Sequence, residues 1–170
     1  MFAPVAIAAV RPETHEMCLV RLELGGTPFA AAYTTPGQYV IARTRGSEGR
    51  FAFASAPSAR DGVDILVKHG GTVADALCTA APGAKVEISR PGGKGFPIAQ
   101  ANGHGVILCA AGSGVGPIRA VVQVLLARRA DYGPITLFHG QRGHGDFAFA
   151  SEHAAWEHGG IRVIKVHSRP

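Results

Sequence analysis

Two hydrophobic patterns divide the 170-residue chain near residue 102. In the first part, short apolar and β-branched runs recur at intervals of about ten residues, with glycine and proline between them. This pattern predicts a small antiparallel barrel or sandwich. The predicted strands are residues 5–10, 18–24, 39–43, 51–55, 63–67 and 85–89, and one short helix is predicted at 72–78.

The second part alternates predicted strands with predicted helices. Ile118, Val121, Val122 and Leu125 recur at helical spacing, which indicates one apolar stripe along a helix. Strands that alternate with helices form parallel sheets with right-handed connections. The sequence therefore predicts an antiparallel Greek-key barrel at 1–100 and a partial doubly wound parallel-sheet domain at 103–170. The elements of the second domain are strands 106–111, 135–139 and 162–166 and helices 118–129 and 147–157.

A glycine-rich turn joins the strand at 106–111 to the helix that follows it. Its residues are Gly112, Ser113, Gly114, Val115, Gly116 and Pro117, and the proline is expected at the first helical position. Glycines let the backbone approach an anion closely, and the N–H groups and dipole at a helix start attract phosphate. The turn is a candidate phosphate or pyrophosphate site. Its glycine order differs from the dinucleotide fingerprint, so a plain tight connection is the alternative.

A second candidate anion site lies in the first domain. Gly70 and Gly71 precede the short helix at 72–78. Thr72 is the expected N-cap, and Asp75 three residues later resembles a capping box. This arrangement also predicts a helix N-terminus that can hold an anion.

Charge and hydropathy restrict the partners. The chain has 17 lysines and arginines against 12 acidic residues, a net charge of +5, and the basic residues form no run. Nucleic acid is therefore not expected, whereas a small anionic ligand or an acidic protein fits. The apolar stretch at 5–10 is too short to span a bilayer and no basic segment precedes it, so a cytoplasmic location without membrane contact is expected.

The three cysteines and eight histidines do not form a metal-binding pattern. Cys18, Cys78 and Cys109 are far apart and odd in number, and none belongs to a C-x-x-C pair. We therefore expect neither a metal site nor a disulfide framework, and we expect Cys78 and Cys109 to be buried as small hydrophobic residues. The histidines lack the spacing of zinc ligands, which favours surface or loop positions.

Six segments in order resemble motifs of the ferredoxin–NADP reductase superfamily. They are Pro36-Gly37-Gln38-Tyr39-Val40, Phe51-Ala52-Phe53-Ala54-Ser55-Ala56-Pro57, Gly70-Gly71-Thr72-Val73, Pro91-Gly92-Gly93-Lys94-Gly95-Phe96, the segment from Ala111 to Pro117, and His139-Gly140-Gln141-Arg142. The resemblance covers nearly the whole chain. The residues of these motifs are most similar to those of the plant fruit-protein-type FAD/NAD(P)-binding oxidoreductases and their bacterial relatives.

The resemblance implies a flavin-dependent oxidoreductase that passes a hydride from NAD(P)H to FAD and electrons on to an unknown acceptor, which can be a protein. Such chemistry resides in the cofactors, so no catalytic side chain and no metal is expected. Arg142 is expected to meet a 2′-phosphate, with a solvated loop arginine as the alternative. The implied flavin-binding residues are Arg50, Phe51, Ala52, Phe53, Ala54, Ser55, Gly70, Gly71, Thr72 and Val73. The implied nicotinamide-nucleotide residues are Gly112, Ser113, Gly114, Val115, Gly116, Pro117, Gln141 and Arg142.

Two positions depart from the superfamily pattern at the predicted flavin-binding strand, residues 51–55 with the residues just before it, called the flavin strand below. Gly49 stands where the superfamily has an arginine that steadies the pyrophosphate, and Arg50 replaces it only if the strand bulges. Ala52 stands where a Ser or Thr hydroxyl would bond to flavin N5, a loss of about 0.5–1.5 kcal/mol. These departures favour an alternative: a non-catalytic or complex-dependent reductase-like module that binds flavin or a protein partner without turnover.

The third departure is the end of the printed sequence at Pro170, where relatives continue with two further strands and a helix. The strand at 106–111, expected to be central, then becomes an exposed edge. Three explanations are open. The sequence can be part of a longer chain, a second copy or another subunit can pair along the edge, or the half-sheet can have lost the nicotinamide site.

Overall fold

The first domain is a six-stranded antiparallel sheet in a computed structural model that describes residues 1–59 and 62–168. Its strand order is β4-β3-β6-β1-β2-β5. An isolated bridge between Phe53 and Ile65 brings the two ends of this order together without closing the sheet. The strands are β1 (Phe2–Thr14), β2 (Met17–Glu23), β3 (Tyr39–Thr44), β4 (Ser47–Ala52), β5 (Val63–Lys68) and β6 (Lys85–Ser89).

The interior of this barrel-like sheet is filled by fully buried apolar side chains, among them Val20, Phe53, Ile65 and Ile88. Tyr33 packs on Phe53 with ring centroids 4.1 Å apart, and its hydroxyl donates to the Ser55 carbonyl at 2.5 Å. Burial raises the pKa of the Tyr33 hydroxyl. Helix α1 (Thr72–Cys78) packs on the barrel through Val73 and Leu77.

The second domain is a three-stranded parallel sheet, β7 (Val106–Ala111), β8 (Ile135–Gln141) and β9 (Ile161–His167), in that order. The predicted fold class is confirmed, and within the described residues β7 is an edge strand, as expected. The helices are α2 (Val115–Ala127) and α3 (His153–His158). Short 3₁₀ turns occupy Ile98–Ala101, Gly112–Gly114, Arg129–Asp131, His144–Asp146 and Ala150–Glu152.

Several element boundaries differ from the sequence-based predictions. Helix α2 begins at Val115, so Pro117 is its third residue, because a 3₁₀ turn at Gly112–Gly114 leads directly into the helix. Strand β4 starts earlier, at Ser47, because Arg45 and Gly46 both have positive φ and make a tight hairpin. The last helix is shorter than predicted and follows Phe149, which has a left-handed conformation.

Two cysteine predictions are wrong. Cys109 is exposed because side chains alternate along β7: Leu108 and Ala110 face the helices, and Cys109 faces the uncovered side with Ile107, which is 74% exposed. The absence of a disulfide is also wrong, since Cys18 on β2 and Cys78 at the end of α1 are bonded. Their separation of 60 residues hides a proximity that only the packing of α1 on the barrel creates.

The disulfide yields a testable thiol count. The chain has three cysteines. We expect one reactive thiol per native chain, from Cys109, and three after reduction and unfolding, measured with a chromogenic thiol reagent. The double change Cys18→Ser with Cys78→Ser removes a constraint on the unfolded chain and is expected to lower the free energy of unfolding by about 4 kcal/mol. Cys109→Ser is the matched control and should change stability little; three reactive native thiols would contradict the disulfide.

A buried ionic network fastens the second domain to the first. Arg119 on α2, 7% exposed, donates from Nη1 to the Ala54 carbonyl at 2.8 Å and to Asp64 Oδ2 at 3.2 Å. Its Nε donates to both carboxylate oxygens of Glu152 at 2.9 Å. Burial opposes the charge, but the hydrogen bond and charge of Glu152, with Asp64, raise the pKa of Arg119 above its ordinary value. Arg21 also pairs with Asp64, with its Nε 2.8 Å from Asp64 Oδ1.

Gly116 brings the two domains into close contact. A Cβ built there would lie 3.0 Å from the Leu66 Cβ on β5 and 3.6 Å from the Ala54 Cβ. The missing side chain therefore lets the first turn of α2 pack on the barrel. No helix in the described part of the chain is long and apolar enough to cross a membrane.

Candidate functional site

A cleft of about 380 Å³ opens at the carboxyl ends of the three parallel strands. Ligands on open α/β sheets bind at this edge. Its other wall comes from the barrel, through the β1–β2 turn and the end of β5. The lining residues are Thr14, Glu16, Met17, Lys68, Ala111, Gly112, Gly140, Gln141, Arg142, Asp146, Val166, His167 and Ser168.

The glycine turn at Gly112–Gly114 lies on the parallel-sheet side of the cleft. Gly112 has a φ of +54°, a left-handed conformation that favours glycine. Within the described chain, no heavy atom lies within 4 Å of a Cβ built on Gly112 or Gly114, so the space above both is open. Ser113 is half-buried, whereas Val115 and Gly116 are buried. The backbone at the start of α2 is thus accessible to an anion at Gly112–Gly114, and Gly116 serves domain packing.

Charged side chains surround the cleft. Lys68 Nζ lies 2.9 Å from Glu16 Oε2, and this hydrogen bond and charge lower the pKa of Glu16. Asp146 accepts from the Gly143 N–H at 3.0 Å and lies 3.3 Å from His15 Nδ1. Arg142 is exposed at the cleft edge. Lys68 and Arg142 supply cationic groups on opposite walls, suited to a ligand with more than one phosphate.

A buried histidine pair lies behind the cleft, where sequence reasoning expected surface or loop positions. His139 on β8 is fully buried, and its Nδ1 is 3.2 Å from Nε2 of His153, which is 4% exposed. The Phe147 ring meets the His139 ring edge-on at 4.8 Å. In the sequence, Ile135, Leu137 and His139 stand at alternate positions of one strand, and this spacing was the signal that His139 shares the inward face of β8.

These histidines predict a pH dependence of stability. Burial, and secondarily His153 and Lys165, lowers the pKa of His139 from 6.5 to about 4, and burial lowers that of His153. Between pH 6.5 and about 4 the unfolded chain binds more protons than the native one, so stability should fall as pH falls, with a slope of up to about 1.4 kcal/mol per pH unit from His139. Urea titrations at pH 7, 6 and 5 measure it. A slope that His139→Gln does not reduce would contradict the assignment.

The flavin strand places only part of the expected set on the surface. Phe51 and Ala52 are half-buried, whereas Phe53, Ala54 and Ser55 are buried in the core. The burial of these three residues includes their backbone, and the Ala54 and Ser55 carbonyls already accept hydrogen bonds from Arg119 and Tyr33, so only Phe51 and Ala52 offer surface to a bound group. The Ser55 hydroxyl is already used, since it accepts from the Asp64 N–H at 2.9 Å.

The arginine substitution anticipated at the flavin strand does not occur. The β3–β4 pairing runs without a shift from Thr44↔Ser47 to Tyr39↔Ala52, so the bulge that would move Arg50 into place is absent between these strands. Arg50 is exposed. A Cβ at Gly49 would lie 2.9 Å from the Phe51 ring and 3.4 Å from Val73 Cβ. A side chain at position 49 would therefore displace the Phe51 ring, which covers Gly49.

The start of α1 is open but carries an acidic residue. Gly70 has a φ of +120°, and no described heavy atom lies within 4 Å of a Cβ on Gly70 or Gly71. The predicted capping by Thr72 is wrong, because Gly71 occupies the N-cap position and the helix starts at Thr72. Asp75 instead accepts from the Gly70 N–H at 3.1 Å, and this bond, with His69, lowers the pKa of Asp75.

No group of three or more His, Cys, Asp or Glu side chains that could hold a metal occurs among residues 1–59 and 62–168. Residues 108–170, which form the parallel-sheet wall of the cleft, match a known family, the oxidoreductase NAD-binding domain.

Whole-chain comparisons extend the match to both domains. The chain is 30% identical over 142 residues to sulfhydrogenase 1 subunit gamma of Pyrococcus furiosus, covering 82% of this chain and 48% of that protein. It is 26% identical over 189 aligned positions to fruit protein pKIWI502 of Actinidia deliciosa, covering 100% of this chain and 59% of that one. The chain thus spans about half the length of the curated relatives it matches.

The fold agrees with the same class. A ferredoxin–NADP⁺ reductase of Neisseria gonorrhoeae, solved with bound FAD and NADP, superposes with a TM-score of 0.83 at 17% identity, over 99% of this chain and 69% of that one. A barrel-like sheet followed by a parallel sheet that matches an NAD-binding domain is the two-domain fold of these reductases. In fold and in motif order the chain is similar to the ferredoxin–NADP reductase superfamily, as its motifs indicated.

Proposed function

We propose that this chain is the cofactor-binding part of an oxidoreductase that takes a hydride from NAD(P)H onto FAD and delivers electrons to an acceptor protein. The observation that carries the proposal is the open glycine turn Gly112–Gly114, which starts α2 at the carboxyl edge of a parallel sheet and faces the barrel across a cleft. The NAD-binding match of residues 108–170 supports it.

The residues present fit the nicotinamide nucleotide. Gly112 and Gly114 leave space for a diphosphate, which the N–H groups and dipole at the start of α2 would bind. Lys68 and Arg142 add charge from either wall of the cleft. Arg142 would meet a 2′-phosphate, because a planar guanidinium suits that group.

The residues also fit a flavin in part. Phe51 and Ala52 offer surface at the end of β4. At the start of α1, the backbone N–H groups of Gly71, Thr72 and Val73 would hold the pyrophosphate, while Gly70, whose N–H already donates to Asp75, would let the backbone approach it. A flavin bound there supplies the hydride-accepting chemistry. The protein's part is to orient the two cofactors across the domain contact that Gly116 and Arg119 fasten.

A second candidate is a reductase-like module that binds a flavin or a protein partner without turnover. Two observations favour it. The Phe51 ring covers the place of the missing arginine at Gly49, and the Asp75 carboxylate occupies the Gly70 N–H. Both reduce the attraction of this site for a pyrophosphate.

An anaerobic visible spectrum separates the two candidates. The purified protein is incubated with FAD, freed of excess by gel filtration and titrated with NADH and, separately, with NADPH. We expect a yellow protein whose absorbance near 450 nm is bleached by one of the two nucleotides. Retained but unbleached flavin would favour the binding module, and a colourless protein would overturn both flavin proposals.

A further inference from the structure

The hydrogen bonds behind the glycine turn allow one arrangement of protons. Gln141 Nε2 lies 3.4 Å from the Gly112 carbonyl oxygen and 3.3 Å from His139 Nε2. An amide nitrogen only donates, so His139 Nε2 must accept. The His139 proton is then on Nδ1, which donates to His153 Nε2 at 3.2 Å. The remaining proton, on His153 Nδ1, has no hydrogen-bond partner in the described chain.

This chain of bonds has a consequence for the cleft. Both hydrogens of the Gln141 amide are directed to protein acceptors, so the side chain offers its carbonyl oxygen Oε1 to a ligand. Gln141 lines the cleft next to Gly112. A rotated amide would place its oxygen against the Gly112 carbonyl oxygen, and two acceptors in contact are unfavourable, so the Gly112 carbonyl fixes the orientation of the amide.

Two buried imidazoles, one with an unpaired N–H, are unfavourable in a core that apolar side chains could fill. The cost in stability of burying these two side chains is explained if they position the adjacent Gly112–Gly114 turn. We propose that His139, supported by His153, is a positioning residue: through Gln141 it fixes the Gly112 carbonyl and presents Gln141 Oε1 as the acceptor for a hydroxyl or amino group of the bound nucleotide. The ligand part of this inference rests on the proposed function.

A matched pair of variants tests the role. The amide of H139Q reaches the place of Nε2 and can accept from Gln141, whereas the shorter amide of H139N reaches only the place of Nδ1. We expect H139N to weaken NADH or NADPH binding about tenfold by fluorescence titration, and H139Q to weaken it by no more than about threefold. Equal losses in H139Q and H139N would overturn the proposal.

Two further readouts do not depend on nucleotide binding. Nitrogen-15 NMR of the free protein should show the His139 ring protonated at Nδ1 and bare at Nε2. Amide exchange at Gly112 and Ser113 should be faster in H139N and in Q141L, a cleft variant outside the core, than in H139Q. A ring protonated at Nε2, or unchanged exchange in Q141L, would refute the positioning role. Failure of the wild-type chain to bind either nucleotide would refute the proposed function. The amide exchange rates at Gly112 and Ser113 would still decide whether His139 positions the turn.

Discussion

Gly114→Val should nearly abolish binding of the nicotinamide nucleotide, with a dissociation constant about a thousandfold higher, or about 4 kcal/mol. Gly114 has an ordinary helical φ of −62°, so its backbone does not require glycine. A Cβ there meets no described atom within 4 Å. The added side chain would leave the fold intact and fill the space in which a diphosphate would contact the start of α2. Fluorescence titration with NADH and NADPH measures the loss.

Gly25→Val is the matched control. Gly25 lies in a turn of the barrel, has no positive φ, and also has open space where a Cβ would be. It should bind nucleotide as the wild-type chain does, and both variants should unfold within about 1 kcal/mol of wild type. If Gly114→Val binds normally, the turn does not hold the diphosphate.

Arg119→Met should lower the free energy of unfolding by about 4 kcal/mol, because it removes one of the two cations that pair with the buried Asp64 carboxylate in the described chain and leaves Arg21. Asp64 is 2% exposed. The loss also removes the donor to the Ala54 carbonyl and frees Glu152. Urea unfolding monitored by far-ultraviolet circular dichroism and by fluorescence of the single tryptophan measures it.

Arg128→Met is the control, since its side chain is 56% exposed and its pairing with Asp131 is a surface contact worth at most about 1 kcal/mol. Adding Asp64→Asn to Arg119→Met should recover part of the stability by removing the unpaired charge. If Arg119→Met and Arg128→Met destabilise equally, the buried network does not fasten the domains.

Gly112, Gly114 and Gly116 show how much of the site the local sequence could predict. Gly112 and Gly114 were predicted to line an anion site from their position between an apolar strand and an amphipathic helix, and they stand in open space at that point. Gly116 belongs to the same motif, but its use is set by Leu66, fifty residues earlier on the barrel. A motif therefore specifies a turn, while the neighbour it meets decides what each glycine does.

The histidine pair and the ionic network are features that the local sequence did not predict. His139 and His153 carry no spacing that marks them as a pair, because they meet across β8 and the start of α3 rather than along one element. Arg119 lies on the buried side of α2, where an isolated helix pattern predicts only apolar residues. Asp64, within the apolar run Val63–Lys68, was the local sign that a buried cation would be needed.

Hydrophobic period, glycine placement and motif order were enough to predict the barrel-like sheet, the parallel sheet, the similarity to the ferredoxin–NADP reductase superfamily and the open glycine turn at Gly112–Gly114, because each depends on residues near one another in the chain. The Cys18–Cys78 bond, the buried histidines and the Arg119 network were decided only by the tertiary structure. Each joins side chains from different elements, and the distance between two such side chains is set by packing rather than by their separation in sequence.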